Sequence, residues 1–510
     1  MDREKLVETI MVCLILAYTA YATTYVIHEE YMLPFHSDEW DHLTIGKEIT
    51  KTGSIESIKK INPYIGVPYA SYWINLESGF HLLTGILLMA TGMSAIKFGV
   101  IMPTIIAFML ALNAFTLIRY LTKSTIAGLI SAVFAATIKS NVTFLGPWFY
   151  VPSSLGLAYA SFFLYVFLRT VKAGGTLNGF DAVFGLAYAA VGLIHPPSVT
   201  ALIPVFILYL LVNPVDVKRN KKKILVAAGA GAVALAATLM VMHIPLESLA
   251  NPAGFLKRYL VFTGSDYEVK IMYSYPAHLG YAVIALSVLG VYVALSSANR
   301  EEWILPLAVL SLLPLAVQFY HTGKVYLSPY RRIFFYVAEM LLLAAGIGVY
   351  YVYREVLAMI KKIPGKNTVK LAADVIVLAA VVYVLTLQVQ TTFANSGKLY
   401  HVIEEKDVAA LEWIRDNTPQ DAVIIALPGA SQAVTPIAER KVVGKVRTFL
   451  RVPQNRLDDS GAFFNEGCDK REEIVRRYGV DYTFGPRVIC DFTVLEHASG
   501  GAYVYKVLLE

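Results

Sequence analysis

Long apolar runs separated by short polar breaks fill residues 1–393, and from residue 394 onward the pattern becomes that of a water-exposed domain. A bilayer core needs about 20 apolar residues per helix. Runs that meet or approach this length lie at residues 7–28, 95–118, 126–139, 151–168, 180–194, 199–211, 224–243, 279–297, 303–319, 333–353 and 369–391. The first is too long for a signal peptide and lacks a small-residue cleavage site, so it reads as a retained helix. Residues 79–92 (GFHLLTGILLMATG) are shorter and suit an interfacial or re-entrant helix better than a crossing.

If 79–92 does not cross, the basic breaks all fall on one side. These are Arg3/Lys5, Arg119/Lys123, Arg169/Lys172, the run Lys218 to Lys223, Arg300, and Arg354 with Lys361, Lys362 and Lys366. The positive-inside rule then predicts about 11 crossings, a cytoplasmic N-terminus and an extracytoplasmic C-terminal domain, in a multi-pass protein of the cell membrane. Residues 1–393 form the predicted transmembrane domain, with 29–94 as its first outer loop, and 394–510 the extracytoplasmic one. In that second domain an amphipathic helix at 404–417 precedes strand-like runs at 422–426 and 437–446. A charged helix at 469–478 and strands at 481–484 and 502–508 follow, which reads as a small mixed α/β domain. It holds no Gly-rich phosphate loop and no metal-ligand spacing, so recognition or shielding is its expected task.

Composition agrees. The chain is 56% hydrophobic and 16% charged, against roughly 25% charged in soluble proteins. The net charge of +6 records topology and gives no reason to expect a nucleic-acid partner. Three cysteines are too few for a disulfide framework. Cys13 lies in the first run, and Cys468 and Cys490 would meet an oxidising environment if the terminal domain is outside, which leaves their pairing open. No internal repeat stands out, a point against repeat-built transporters.

Chemistry concentrates on the predicted outer face, where the sequon Asn141-Val142-Thr143 also falls. Directly after the first run, His36-Ser37-Asp38-Glu39-Trp40-Asp41-His42 packs three carboxylates and two imidazoles into seven residues. Unpaired charge beside hydrocarbon is costly, so such a knot needs a reason. One reading is an interfacial helix capped by Ser37, with an acidic first turn suited to the helix dipole. The other is a carboxylate that takes a proton from an acceptor, or a divalent-cation site at Asp38 and Glu39. On a helix, Asp38, Asp41 and His42 share a face and Glu39 points aside, which favours Asp38 as the base.

A second group is Ser328-Pro329-Tyr330-Arg331-Arg332. Two arginines at a helix start oppose the dipole and break the positive-inside rule. An anion resolves both, and guanidinium forks suit phosphate; snorkelling to ordinary headgroups is the plain alternative. His321, Lys324 and Tyr326 add to the same patch. His195 stands at a Pro-Pro break. His81, with Tyr72, Trp73 and Glu77, follows the acidic cluster. Lys257, Arg258, Asp266 and Tyr267 occupy a loop at 244–278 long enough to act as a lid.

On these motifs the chain resembles the GT-C class of integral-membrane glycosyltransferases, which includes protein O-mannosyltransferases, the lipid A aminoarabinose transferase and oligosaccharyltransferases. The resemblance rests on a first helix leading into an outer Asp38-Glu39 pair, the aromatic segment Tyr69 to Asn75, residues 79–92, a helical bundle and a terminal domain. That domain opens with Ala409 to Pro419 (AALEWIRDNTP). It implies a polyprenyl-phosphate-sugar donor in the membrane and a glycan, lipid or protein acceptor. It also implies Asp38 as catalytic base, Glu39 as its motif partner and Arg331 or Arg332 as donor-phosphate ligand. The cofactor is either none or a divalent cation. The terminal domain lacks the WWDYG-like signature of oligosaccharyltransferases. The rival readings are a transporter or flippase of a lipid-linked or anionic substrate, and a non-catalytic scaffold.

Overall fold

A computed structural model describes residues 3–22, 26–29, 31–54, 77–141, 144–172, 179–241, 254, 260–263, 274–361, 372, 383, 401–446 and 452–509. The run at 369–391 apart from residues 372 and 383, the aromatic segment Tyr69 to Asn75 and the loop residues Lys257, Arg258, Asp266 and Tyr267 lie outside them. The chain divides into two compact units. The first comprises Met1–Val26, Pro103–Trp148 and Pro152–Lys398; the second comprises Ile27–Met102, Phe149–Val151 and Leu399–Glu510. Ile27–Met102, which contains the acidic cluster, therefore shares a unit with the C-terminal segment.

Among the described residues, four helices are long and apolar enough to cross a membrane: Ala95–Thr122, Pro152–Lys172, Arg300–Thr322 and Tyr330–Ile360. Shorter apolar helices cover most of the other predicted runs: Thr125–Ala136, Gly179–Ile194, Pro196–Val212 and Tyr281–Ser296. Pro214–Val241 holds the basic run and bends at Asn220 (φ −112°, ψ 19°). The helix beginning at Tyr330 is the most enclosed of the four. Small residues allow that. Gly290 rests on the Ala344 carbonyl and Gly348 on the Leu286 carbonyl, so any Cβ at either glycine would collide with backbone.

Two of the basic breaks, Arg119/Lys123 and Arg169/Lys172, lie close together in this unit. Arg119, Lys123 and Arg169 line a pocket of about 360 Å³ with Tyr120 and Tyr165. Lys172 pairs with Glu301 at 2.5 Å, which also accepts a hydrogen bond from Tyr120 at 3.1 Å. Strands β1 (Val261–Thr263) and β2 (Lys324–Tyr326) form an antiparallel pair in the same unit.

The second unit is built on a five-stranded sheet. Its strands are β3 (Val423–Ala426), β4 (Lys441–Val442), β5 (Tyr482–Gly485), β6 (Thr493–Ser499) and β7 (Ala502–Val507), in the order β4-β3-β5-β7-β6. β3 runs parallel to β4 and β5, while β5–β7 and β7–β6 are antiparallel. Ile425, Val443, Phe463, Ile474, Val475 and Tyr505 fill its core.

The helix Glu405–Asn417 and strands β3, β5 and β7 fall where the apolar pattern puts them. Residues 437–446 differ: the helix Ser431–Ala438 ends inside that run, leaving only two residues to β4. Strand β6 and the helix Gln454–Asn465 give almost no apolar signal. Most of β6 faces out, and the helix buries only Ser460 and Phe463. Cys468 and Cys490 are joined by a disulfide across a separation of 22 residues.

Candidate functional site

The acidic cluster opens the helix Ser37–Thr52, whose N-cap is His36 and not Ser37. The His36 Nδ1 accepts from the Asp38 N–H at 3.1 Å. Glu39 Oε2 accepts the N–H groups of Phe35 and His36, each at 3.0 Å, and completes a capping box. Its Oε1 accepts the Tyr150 N–H at 2.7 Å. Glu39 does not point aside as helical spacing suggests. It is buried, and both its oxygens hold backbone.

Burial lifts the Glu39 carboxyl to about 8, while the N–H groups of Tyr150, His36 and Phe35 pull the other way.

Asp41 is fully buried and forms an ion pair with Lys445, which follows β4 and is itself buried. Burial drives the Lys445 ammonium well below its ordinary value, against the pull of the Asp38 carboxylate. Farther along the helix, Lys47 and Lys51 reach Glu439 at 3.1 and 2.9 Å. Ahead of it, the Tyr31 hydroxyl donates to the Ile403 carbonyl at 2.6 Å, and the Tyr31 ring stacks on His401. The cluster is thus bound on three levels to the C-terminal segment.

His42 faces a second short helix, Ser78–Thr91, whose 14 residues coincide with the short apolar run at 79–92. Its Nδ1 lies 3.0 Å from His81 Nε2, and Glu77 joins them with a ligand atom within 4.8 Å.

The shared face expected for Asp38, Asp41 and His42 is therefore divided. Asp41 is paired with Lys445, and His42 turns to His81. Asp38 keeps 27% of its side chain exposed, with His36 3.8 Å away. It is the one carboxylate of the cluster that solvent or a substrate reaches.

In the first unit, Arg331 and Arg332 sit in the first turn of the helix Tyr330–Lys361, half-buried. His195 caps the start of Pro196–Val212. Its Nδ1 lies 2.6 Å from Ser198 Oγ, which in turn bonds the Tyr336 hydroxyl one helical turn past Arg332. Burial, and then the Arg332 charge, hold the His195 imidazole well below its ordinary value. Sequence spacing thus led to Arg332 and His195 separately, and the fold links them electrostatically.

Beside this group opens an apolar cavity of about 420 Å³, lined by Phe167, Tyr188, Val199, Ile203 and Phe206 among others. Tyr188 donates to the Val199 carbonyl, next to Ser198. Deeper in the bundle Glu339 is fully buried and accepts a hydrogen bond from Ser161. Glu339 departs from the expectation that the ionisable groups concentrate at one surface.

Lys445 and Glu439 escaped sequence reading because their partners lie about 400 residues away in the chain. The one available signal was a lysine set among Val442, Val443, Gly444 and Val446, where a solvated side chain is unusual.

Solved structures share this fold. The oligosaccharyltransferase AglB of Archaeoglobus fulgidus, in complex with an inhibitory peptide and a dolichol-phosphate, aligns with a TM-score of 0.60 at 12% identity. The alignment covers 94% of this chain and 69% of that one. ArnT of Cupriavidus metallidurans bound to undecaprenyl phosphate aligns at 0.59 and 11% identity, covering 97% of both chains. The arabinofuranosyltransferase AftD from Mycobacteria aligns at 0.56 and 12%, covering 100% of this chain and 40% of that one. All three are GT-C membrane glycosyltransferases, so the chain has the GT-C fold that its motifs resemble. No curated protein matches it in sequence. By its match over residues 3–483, the chain belongs to DUF6541, a family of unknown function.

Proposed function

We propose that this protein is a membrane glycosyltransferase that moves a sugar from a polyprenyl-phosphate donor to an acceptor on the outer face of the membrane. The observation that carries this reading is the selective exposure of Asp38. Of three carboxylates in one helical turn, Glu39 is spent on backbone N–H groups and Asp41 on Lys445, while Asp38 stays open. The reading has about 11 crossings, an N-terminus inside and the C-terminal α/β segment outside. The Cys468–Cys490 bond suits an oxidising compartment.

Asp38 removes the proton of an acceptor hydroxyl, whose oxygen attacks the anomeric carbon. The bond from that carbon to the phosphate oxygen breaks, and the electron pair leaves with the lipid phosphate. A phosphate leaves without being protonated, so one base and a cation near the leaving group suffice. Arg331 or Arg332 supplies that cation. His195, neutral and bonded to Ser198, keeps the neighbouring site polar. The polyprenyl chain takes the apolar cavity beside Tyr188 and Val199. Glu39 shapes the loop that presents Asp38.

The similarity to proteins solved with dolichol-phosphate and undecaprenyl phosphate supports the donor class. The test is to incubate membranes containing this protein with a panel of labelled polyprenyl-phosphate sugars. The expected result is label transferred from one of them to an endogenous glycan, lipid or protein. Release of no label beyond that of membranes lacking the protein contradicts the proposal.

One observation favours a second reading. A buried carboxylate inside a membrane bundle, as at Glu339, is common in proton-coupled transport. A transporter or flippase would move lipid-linked sugar across vesicles without breaking the phosphate–sugar bond.

A further inference from the structure

We propose that His42, Glu77 and His81 form a binding site for a single divalent transition metal, with zinc the best match to their chemistry. Each offers one ligand atom, and the three atoms lie within 4.8 Å of one another. His42 and His81 are buried and Glu77 is half-buried, so the group is not a solvated surface patch.

The backbone brings these residues together in a way that fixes them. Glu77 is the N-cap of the helix Ser78–Thr91, and the His81 N–H bonds back to its carbonyl at 3.2 Å. Two ligands thus stand four residues apart, on one helix face. His42 comes from the facing helix. One turn beyond each histidine stands a glycine, Gly46 after His42 and Gly85 after His81. A Cβ on Gly46 would strike Thr84, and one on Gly85 would lie 2.6 Å from Ile49. The two glycines permit this close crossing, which brings the two imidazoles together tilted at 32° with centroids 5.2 Å apart. The Phe80 ring, edge-on to His42 at 4.9 Å, restrains the imidazole further.

The nitrogens His42 Nδ1 and His81 Nε2 are 3.0 Å apart. In tetrahedral zinc sites, bonds of about 2.0–2.1 Å set two nitrogens about 3.3 Å apart. The two nitrogens therefore need to separate by only a few tenths of an ångström, and the Glu77 carboxylate, whose ligand atom lies within 4.8 Å of both, closes onto the ion by side-chain rotation. Two imidazoles and a carboxylate suit zinc, copper, iron or nickel, whereas magnesium and calcium prefer all-oxygen sets. Three protein ligands leave a fourth position for water or another donor.

This moves the metal away from Asp38 and Glu39. Glu39 has both oxygens on backbone N–H groups, so that pair does not fit a cation, and the histidine pair one turn along does. The inference stands on these side chains and does not depend on sugar transfer.

The test uses full-length protein purified in detergent, stripped with a chelator and titrated with zinc and cobalt(II). The expected result is about one bound zinc per chain by elemental analysis, and visible d–d bands with cobalt. Zinc, and not magnesium, should raise the unfolding temperature of the wild type. His81→Gln and Glu77→Gln should lose the bound zinc and the cobalt bands, and Asp38→Asn should keep both. A wild type that unfolds cooperatively yet binds no stoichiometric zinc overturns the proposal. So does zinc retained by His81→Gln, or zinc lost in Asp38→Asn. Where a variant does not fold, the zinc-dependent shift of the wild type decides: its absence overturns the site.

Discussion

Lys445 and Asp41 form an ion pair in which both side chains are sealed from solvent, at 2% and 0% exposure. Removing charges from water costs several kcal/mol each, and the pair recovers this only while both partners are present. Lys445→Met should therefore destabilise the protein by about 3–5 kcal/mol, because it strands a buried carboxylate. Adding Asp41→Asn to that variant should restore most of the loss. Thermal and denaturant unfolding of the two variants checks this. A Lys445→Met protein as stable as wild type would mean that the pair is not sealed.

Glu39 gives a pH signature. Its carboxyl is lifted to about 8 from an ordinary 4.5, by burial first, with the N–H groups of Tyr150, His36 and Phe35 opposing. A raised carboxyl binds its proton more tightly in the folded state. Its stabilising contribution is complete below 4.5 and is lost as pH rises through about 8. The wild type should lose unfolding temperature across that window more steeply than Glu39→Gln does. Parallel profiles would show that Glu39 does not titrate there.

The Cys468–Cys490 bond closes a loop of 22 residues. Constraining an unfolded loop of this size contributes roughly 3 kcal/mol. A Cys468→Ser/Cys490→Ser variant should unfold at correspondingly lower denaturant concentration, and unreduced wild type should resist alkylation at both positions. Labelling of Cys468 and Cys490 in unreduced, freshly isolated membranes would contradict the pairing.

Arg332 opens a helix whose dipole it opposes, and its charge acts on His195. If a donor phosphate is its partner, Arg332→Ala removes a charge-assisted hydrogen bond of about 1.5–3 kcal/mol. The donor KM should then rise about tenfold to a hundredfold, as 1.4 kcal/mol corresponds to tenfold. Arg332→Lys should fall between, since an ammonium keeps the charge and loses the fork. Unchanged donor kinetics in Arg332→Ala would assign the arginine to ordinary headgroups.

What the sequence revealed follows from the range of the interactions involved. Helices such as Tyr330–Lys361 and Glu405–Asn417 were legible because apolar period and capping are local. So was the acidic cluster, since its cost beside a membrane is visible from composition. The fates of its members were not legible, because they depend on remote partners: Tyr150 for Glu39, Lys445 for Asp41 and His81 for His42. Strand β6 was missed for a different reason. It is an edge strand with a bulge between Leu495 and His497, and it carries little apolar alternation.

The central claim is that Asp38 is the base of a sugar transfer. The most direct measurement compares wild-type and Asp38→Asn protein, equally folded and equally abundant in membranes, for transfer of label from the polyprenyl-phosphate sugar that the wild type uses. Positioned general bases contribute about 10²–10⁴-fold, so transfer by Asp38→Asn should fall by at least about a hundredfold with donor binding retained. Transfer at the wild-type rate in Asp38→Asn would contradict the account.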